Sequence, residues 1–311
     1  MKTPRMVDLV RDYLAKRRAL GFALRTQGPQ LLQFARYADR LGHRGPLTLQ
    51  LAVRWARLPK RTSASWWAHR LKILRPFIQY RAAFDPRTEI PPRGYLGPGY
   101  RRPTPHIYSD TEIATLIRAA HGLRPPGGLR ALTYATLLGL LACAGLRISE
   151  ALRLRQADVD WLQGVISIRR SKFKQSRLVP LHPSALQALK HYARIRDQHV
   201  KAEHFFVSLR GQPLPYATVR DTFRRLVQSA VGNVGPSQRL PRLHEIRHTF
   251  ATSHLIRQSG ARACPDSAAL LVSVYLGHRR ITDTYWYFSG TPALFAQVGR
   301  TFERFVHNAP P

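Results

Sequence analysis

Ala144-Gly145-Leu146-Arg147-Ile148-Ser149-Glu150 closes the longest apolar run of the chain, residues 131–146. As a helix that run would span roughly 24 Å, short of a ~30 Å hydrocarbon core, so it reads as a buried helix and not a membrane span. The helix begins near Leu129, runs to Cys143 and breaks at Ala144-Gly145, and a short second helix covers 148–154. The period then changes. Val165, Ile166 and Ile168, then Leu178, Val179 and Leu181, flank a polar stretch at 169–177 and predict a β-hairpin. Upstream, Ser109-Asp110-Thr111-Glu112 has the form of a capped helix start ahead of Ile113, Leu116 and Ile117. Downstream, helical spacing resumes over 184–199, 217–230, 244–258 and 267–276. A last amphipathic segment at 292–305 carries Leu294, Phe295, Val298, Phe302 and Phe305. The pattern predicts a mainly α fold with a small antiparallel β-sheet.

The first 80 residues carry a separate helical pattern. Apolar residues recur at Val7, Leu9, Val10, Tyr13 and Leu14, then at Leu31, Leu32, Phe34, Ala35, Ala38 and Leu41. A third set runs through Leu49, Val53 and Trp55, and a fourth through Trp66, Trp67, Leu71, Leu74, Phe77, Ile78 and Tyr80. Gly21, Gly28-Pro29, Gly42, Gly45-Pro46 and Pro59 read as the breaks between four or five helices, with Trp66-Trp67 in their core. Nine of the 21 residues from 85 to 105 are Pro or Gly, too many for a regular helix. The expected organisation is a helical domain over 1–85, a basic linker over 86–105 and a second domain over 106–311.

The chain of 311 residues has 50 Lys+Arg against 17 Asp+Glu, a formal charge of +33. So large a charge opposes compaction unless the usual partner is a polyanion, which puts nucleic acid first and an anionic membrane second. The excess is spread over both parts: residues 1–105 hold 22 basic and 5 acidic residues, and 106–311 hold 28 and 12. Arginine dominates with 42 copies. Two cysteines, Cys143 and Cys264, make no disulfide framework and no zinc-ligand cluster, and Cys143 reads as a core residue. The first residues lead into Asp8, Arg11 and Asp12 without the apolar region of a signal peptide, so a soluble intracellular protein is expected.

Four further segments stand with the opening one. They are Ser171-Lys172-Phe173-Lys174-Gln175-Ser176-Arg177-Leu178-Val179-Pro180-Leu181, Leu243-His244-Glu245-Ile246-Arg247-His248-Thr249, Leu276-Gly277-His278 and Thr284-Tyr285-Trp286-Tyr287-Phe288. In order, spacing and flanking residues they resemble the tyrosine recombinase/integrase family across residues 108–287. That signature is Arg, a hairpin Lys, His-x-x-Arg, Leu-Gly-His and a Tyr nine residues beyond the last His. Each piece alone is weak, and the ordered set is specific.

The resemblance implies a helical DNA-binding (core-binding, SAM-like) domain followed by a tyrosine-recombinase catalytic domain, the two clamping duplex DNA. It implies site-specific recombination through a covalent 3′-phosphotyrosine, with no metal and no cofactor. The chemistry explains the residue types. A Tyr hydroxyl attacking phosphorus conserves the bond energy for resealing, and with an ordinary pKa of about 10 it benefits from cationic surroundings. Guanidiniums meet the non-bridging oxygens with a planar fork that lysine lacks. By resemblance Arg147 and Arg247 form that clamp, Lys172 protonates the leaving 5′-oxygen, His244 and His278 bind the phosphate, and Tyr287 is the nucleophile. His244 is also placed to take the tyrosine proton. The implied partners are double-stranded DNA and, at synapsis, a homo-tetramer or a hetero-assembly with related recombinases, in the bacterial cytoplasm at the nucleoid and away from membranes. Segment 292–305 suits either docking on a neighbouring protomer or packing on its own core.

Three departures leave alternatives open. Ser171 and Phe173 stand where the family's hairpin carries glycines, so Lys174 rivals Lys172, which is preferred on its alignment with residues 177–181. The interval from Arg247 to His278 is long, with the excess expected in a loop at 258–266. Tyr285 lies two residues before Tyr287 and would point elsewhere on a helix. Glu150 reads as a local anchor and His248 as a buried helix histidine. Two other activities fit parts of the pattern: a type IB topoisomerase acting alone, and a zinc metalloprotease from the literal His-Glu-x-x-His at 244–248. Against the protease, Ala251 stands where the metzincin pattern needs Gly, and a Met-turn is impossible because the only methionines are Met1 and Met6.

Overall fold

The computed structural model describes residues 4–60, 62–98, 103–169, 176–231, 239–260, 265–278 and 280–287. The chain divides into two units, Met1–Pro103 and Thr104–Pro311. Among the described residues the first unit has four helices: α1 (Met6–Ala19), α2 (Gln27–Arg40), α3 (Leu49–Ala56) and α4 (Ala64–Ala82). Their apolar stripes meet in a core that includes Val10, Phe34, Trp55, Leu74, Phe77 and Ile78. Phe34 meets Trp55 edge-on at 5.5 Å. Polar groups close the ends of the elements. The Asp39 carboxylate accepts from the Met6 and Val7 amides at 2.8 and 3.1 Å, which ties the start of α1 to α2.

Three details of this unit differ from the sequence reading. Gly28-Pro29 lies within the first turn of α2, where a missing amide hydrogen costs nothing. Trp66 is 39% exposed and stacks on His69 at 5.2 Å, while only Trp67 turns inward and donates to the Pro59 carbonyl at 2.9 Å. Part of the expected linker is tied back to the helices. The Glu89 amide donates to the Leu47 carbonyl at 2.8 Å, its carboxylate accepts from the Leu49 amide at 2.6 Å, and Arg75 Nε donates to the Pro91 carbonyl at 2.8 Å.

The second unit opens with α5 (Asp110–His121), whose Ser109 and Glu112 form the reciprocal capping box that the sequence promises. Next come α6 (Leu129–Ala144) and α7 (Ile148–Ala151). Strands β1 (Val159–Asp160), β2 (Val165–Ile168) and β3 (Arg177–Pro180) make an antiparallel sheet in that order, with Ile166 opposite Val179. The chain continues through α8 (Pro183–His199), α9 (Tyr216–Val231), α10 (Leu243–Gly260), α11 (Pro265–Leu276) and α12 (Thr282–Tyr285). Helix α6 is apolar on most sides and is buried accordingly, at Leu137, Leu138, Leu140 and Leu141 among others. Helices α10 and α11 enclose a second cluster of Phe250, Ala251, Leu255, Ala268, Val272, Leu276 and Tyr287.

Strand β1 and helix α12 have no counterpart in the sequence reading, because two or four residues cannot establish a period. Helices take up part of the loop expected at 258–266, since α10 extends to Gly260 and α11 starts at Pro265; residues 261–264 lie outside the described residues. Cys143 is not a core residue. It is exposed at the rim of a groove formed with Ile117, His121, Gly139 and Ala188, where desolvation by the surrounding protein pushes its thiol up to about 11. Segment 292–305, Lys172 and Lys174 lie outside the described residues. Among the described residues no helix is long and apolar enough to cross a membrane.

One glycine fixes how α6 and α10 meet. Gly145 ends α6 in the left-handed conformation, φ 57°, and a Cβ built there would sit 2.3 Å from Phe250 Cδ1 on α10. Gly145→Ala therefore combines a strained backbone with overpacking, a loss on the order of 3 kcal/mol. Calorimetry should show the second unit's transition lowered by roughly 5–10 °C. An unchanged transition would mean that Phe250 moves aside freely.

Candidate active site

The left-handed turn at Gly145 sends the chain from α6 to Arg147, which caps α7. Glu150, three residues on, holds Arg147 at both ends. Its carboxylate accepts from the Arg147 amide at 3.0 Å and from Nη1 at 2.8 Å. Arg147 Nη2 also donates to the Gly277 carbonyl at 3.3 Å.

Arg247, in the first turns of α10, is 2% exposed. Its Nη1 donates to the Gly145 carbonyl at 2.7 Å and its Nη2 to the Leu276 carbonyl at 2.8 Å. These carbonyls belong to the C-terminal ends of α6 and α11, where main-chain acceptors lack helical partners and the helix dipole is negative. Burial lowers the Arg247 pKa to about 10, which leaves it charged at neutral pH.

His278 follows Gly277, another left-handed glycine (φ 65°). Arg247 Nη2 lies 3.2 Å from His278 Nε2, and an arginine has only donors, so Nε2 accepts. The ring proton then sits on Nδ1 and is donated to Thr284 Oγ1 at 2.7 Å. Burial, and then the charges of Arg247 and Arg147, lower the His278 pKa to about 4, in keeping with a neutral ring.

Tyr287 is 6% exposed and Tyr285 42%. The Tyr287 ring stacks on His278 at 5.7 Å and 14°, and stands 5.0 Å from His248. His244 is exposed at the start of α10, with its ring edge-on to His248 at 5.1 Å. Arg147, Arg247, His278 and Tyr287 thus stand together, and His244 reaches them through His248, which lies between it and Tyr287. The sixth predicted residue, Lys172, lies outside the described residues.

A family profile described as "Phage integrase family" matches residues 109–292. The chain belongs to the phage integrase family. A putative integrase/recombinase of Sinorhizobium fredii, y4rB, is 40% identical over 306 residues, covering 95% of this chain and 96% of the relative. The tyrosine recombinase XerD of Xanthomonas axonopodis pv. citri is 29% identical over 269 residues, covering 81% and 82%. Among solved structures, the Tn1549 transposon integrase in complex with transposon right-end DNA superimposes with a TM-score of 0.70 at 18% identity, covering 97% of this chain and 100% of that one. That likeness establishes a shared fold. This integrase is accordingly a DNA breaking-rejoining enzyme of the tyrosine recombinase type, and neither the protease nor the lone topoisomerase is favoured.

In the integrase the carboxylate of the His-Glu-x-x-His sequence does helical work. Glu245 accepts from the Arg242 amide at 2.7 Å and pairs with Arg239. Sequence reasoning passed over two partners. Thr284, fully buried, fixes the tautomer of His278, and Arg177 grips Glu150 from β3. The available signal for Arg177 was a lone cation opening an otherwise apolar strand, and for Thr284 a hydroxyl six residues beyond His278.

The ionisations give stability an acid limb in two parts. His278 titrates lower in the folded state than its ordinary 6.5, so unfolding takes up a proton and stability falls as pH drops from about 6.5 to about 4. Burial raises the Glu150 carboxyl, but the hydrogen bonds and charge of Arg177, and then the contacts of Arg147, outweigh it and hold it at about 2. That contribution is present above 4.5 and is lost as pH falls from 4.5 toward 2. Urea unfolding at stepped pH should show His278→Gln flattening the upper part alone. A wild-type slope in that variant would assign the limb to other groups.

Proposed function

We propose that this chain catalyses site-specific DNA recombination with Tyr287 as nucleophile and Arg147 and Arg247 as the phosphate clamp. The Tyr287 oxygen attacks phosphorus, the P–O5′ bond breaks, and a 3′-phosphotyrosine and a free 5′-hydroxyl result. The proton for the 5′-oxygen comes from Lys172 on the hairpin, and the phenol's proton passes to His244. A 5′-hydroxyl from another strand then reverses the step, so no nucleotide is consumed. The observation that most supports this reading is Tyr287 stacked on His278, whose Nε2 accepts from the buried Arg247. The guanidiniums are aimed before substrate arrives, which is the condition for strong stabilisation of the charged pentacoordinate state. His278 holds its proton on Nδ1 against Thr284, and a phosphate oxygen drawing Arg247 away would free Nε2.

We also assign DNA gripping to the helical domain at 1–85, with 86–105 as the basic connection and 106–311 as the catalytic domain. With +33 to place against phosphates, affinity should fall steeply with salt and owe little to base contacts. Two sites with two strands each call for four protomers at synapsis. A DNA substrate places the enzyme at the cytoplasmic nucleoid.

Covalent trapping on nicked suicide DNA tests the centre of this reading. An SDS-resistant adduct should form with wild type and with Tyr285→Phe and vanish with Tyr287→Phe; loss with Tyr285→Phe instead would move the nucleophile. Arg147→Ala and Arg247→Ala should bind DNA but cleave on the order of 10²–10³ more slowly. A 5′-bridging phosphorothiolate, whose sulfur leaves without a proton, should restore cleavage to Lys172→Ala. Restoration of Lys174→Ala and not of Lys172→Ala would reverse that assignment.

A further inference from the structure

Three guanidiniums share the Glu150 carboxylate. Arg147 donates to Oε1 at 2.8 Å, and Arg247 Nη1 stands 4.0 Å from Oε2. The third is Arg177, which has no part in the proton transfers or the phosphate clamp. It opens β3, where the hairpin returns from the segment that carries Lys172. Its Nη1 and Nη2 donate to Oε1 and Oε2 at 3.1 and 2.9 Å, a two-pronged match with the planar carboxylate. The side chain is 12% exposed and lies against Gly277, where a Cβ would come within 3.1 Å of Nη1. Gly277 is thus bare on the side that Arg177 covers, and its carbonyl receives Arg147.

The charges explain why a third arginine is useful. Glu150 aims Arg147, but a carboxylate beside a phosphate site repels the anion and cancels one of the two clamp charges. Arg147, Arg247 and Glu150 together carry +1, and adding Arg177 restores +2. In a largely buried setting such a change is weakly screened.

We propose that Arg177 is a positioning residue of the active site: it clamps Glu150 so that the carboxylate can aim Arg147 without reducing the positive charge offered to the scissile phosphate. The proposal rests on the reading of Arg147 and Arg247 as the phosphate clamp. It separates Arg177 from an ordinary buried ion pair, whose loss would cost stability and would be indifferent to the charge of the substrate.

The test is single-turnover cleavage of suicide DNA by the full chain, with DNA binding and thermal unfolding measured on every variant. Arg177→Met should cleave roughly 10- to 100-fold more slowly while still binding DNA. Glu150→Gln/Arg177→Met removes the uncompensated negative charge and should cleave faster than Arg177→Met alone. A methylphosphonate at the scissile position, which lacks one non-bridging charge, should narrow the gap between Arg177→Met and wild type. Arg177→Lys keeps the charge and should retain most of the activity, which also carries the test if Arg177→Met does not fold. The proposal is overturned if the double variant is as slow as Arg177→Met, if the methylphosphonate leaves the gap unchanged, or if Arg177→Lys is as slow as a neutral residue. Arg147→Ala and Arg247→Ala run alongside. Normal cleavage by those two would overturn the clamp itself, whereas their failure beside a normal Arg177→Met would overturn only the role of Arg177.

Discussion

Burying a guanidinium is costly unless its N–H groups find acceptors, and the acceptors found by Arg247 organise the catalytic unit. Arg247 is almost entirely out of water, yet its short contacts are to the Gly145 and Leu276 carbonyls and to His278. Neutral dipoles can hold a cation in place without consuming its charge, which a close carboxylate cannot do. The arrangement needs helices α6 and α11 to end at the same point and α10 to approach that point closely. Gly145 meets both needs, because it ends α6 in a left-handed turn and has no side chain to obstruct Phe250 of α10.

The long elements of the fold were legible because each carries several apolar residues at one period, as α6 and β2–β3 do. What escaped was local or depended on facing. A run of adjacent aromatics does not say which ring turns inward, so Trp66 emerged on the surface while Trp67 packed. Cys143 lies within an apolar run but falls on the side of α6 that opens to a groove. The described residues of the linker form no helix, as its composition implies, but composition carries no information about Glu89 reaching the Leu49 amide.

The site was legible in a different way. Arg147, His244, Arg247, His278 and Tyr287 were named from order and spacing; four of them meet in space across 140 residues of chain from Arg147 to Tyr287, and His244 adjoins them through His248. The groups that hold them were not legible. Main-chain carbonyls look alike at every position of a sequence, and nothing about Leu276 announces that its oxygen receives two arginines. Glu150 read as a local anchor, and it is one, but its reach to Arg177 joins residues 27 apart through the sheet.

The Gly145 and Leu276 carbonyls have a further consequence. They sit at helix termini, the parts of a helix that open first and most often in native-state fluctuations. Each opening of the last turn of α6 or α11 removes an acceptor from Arg247 and loosens the site. The lifetime of a correctly aimed guanidinium is therefore bounded by local fraying of two helix ends, well below the free energy of global unfolding. Amide protection in those last turns is a measure of active-site readiness, although neither turn contributes a side-chain donor to the phosphate.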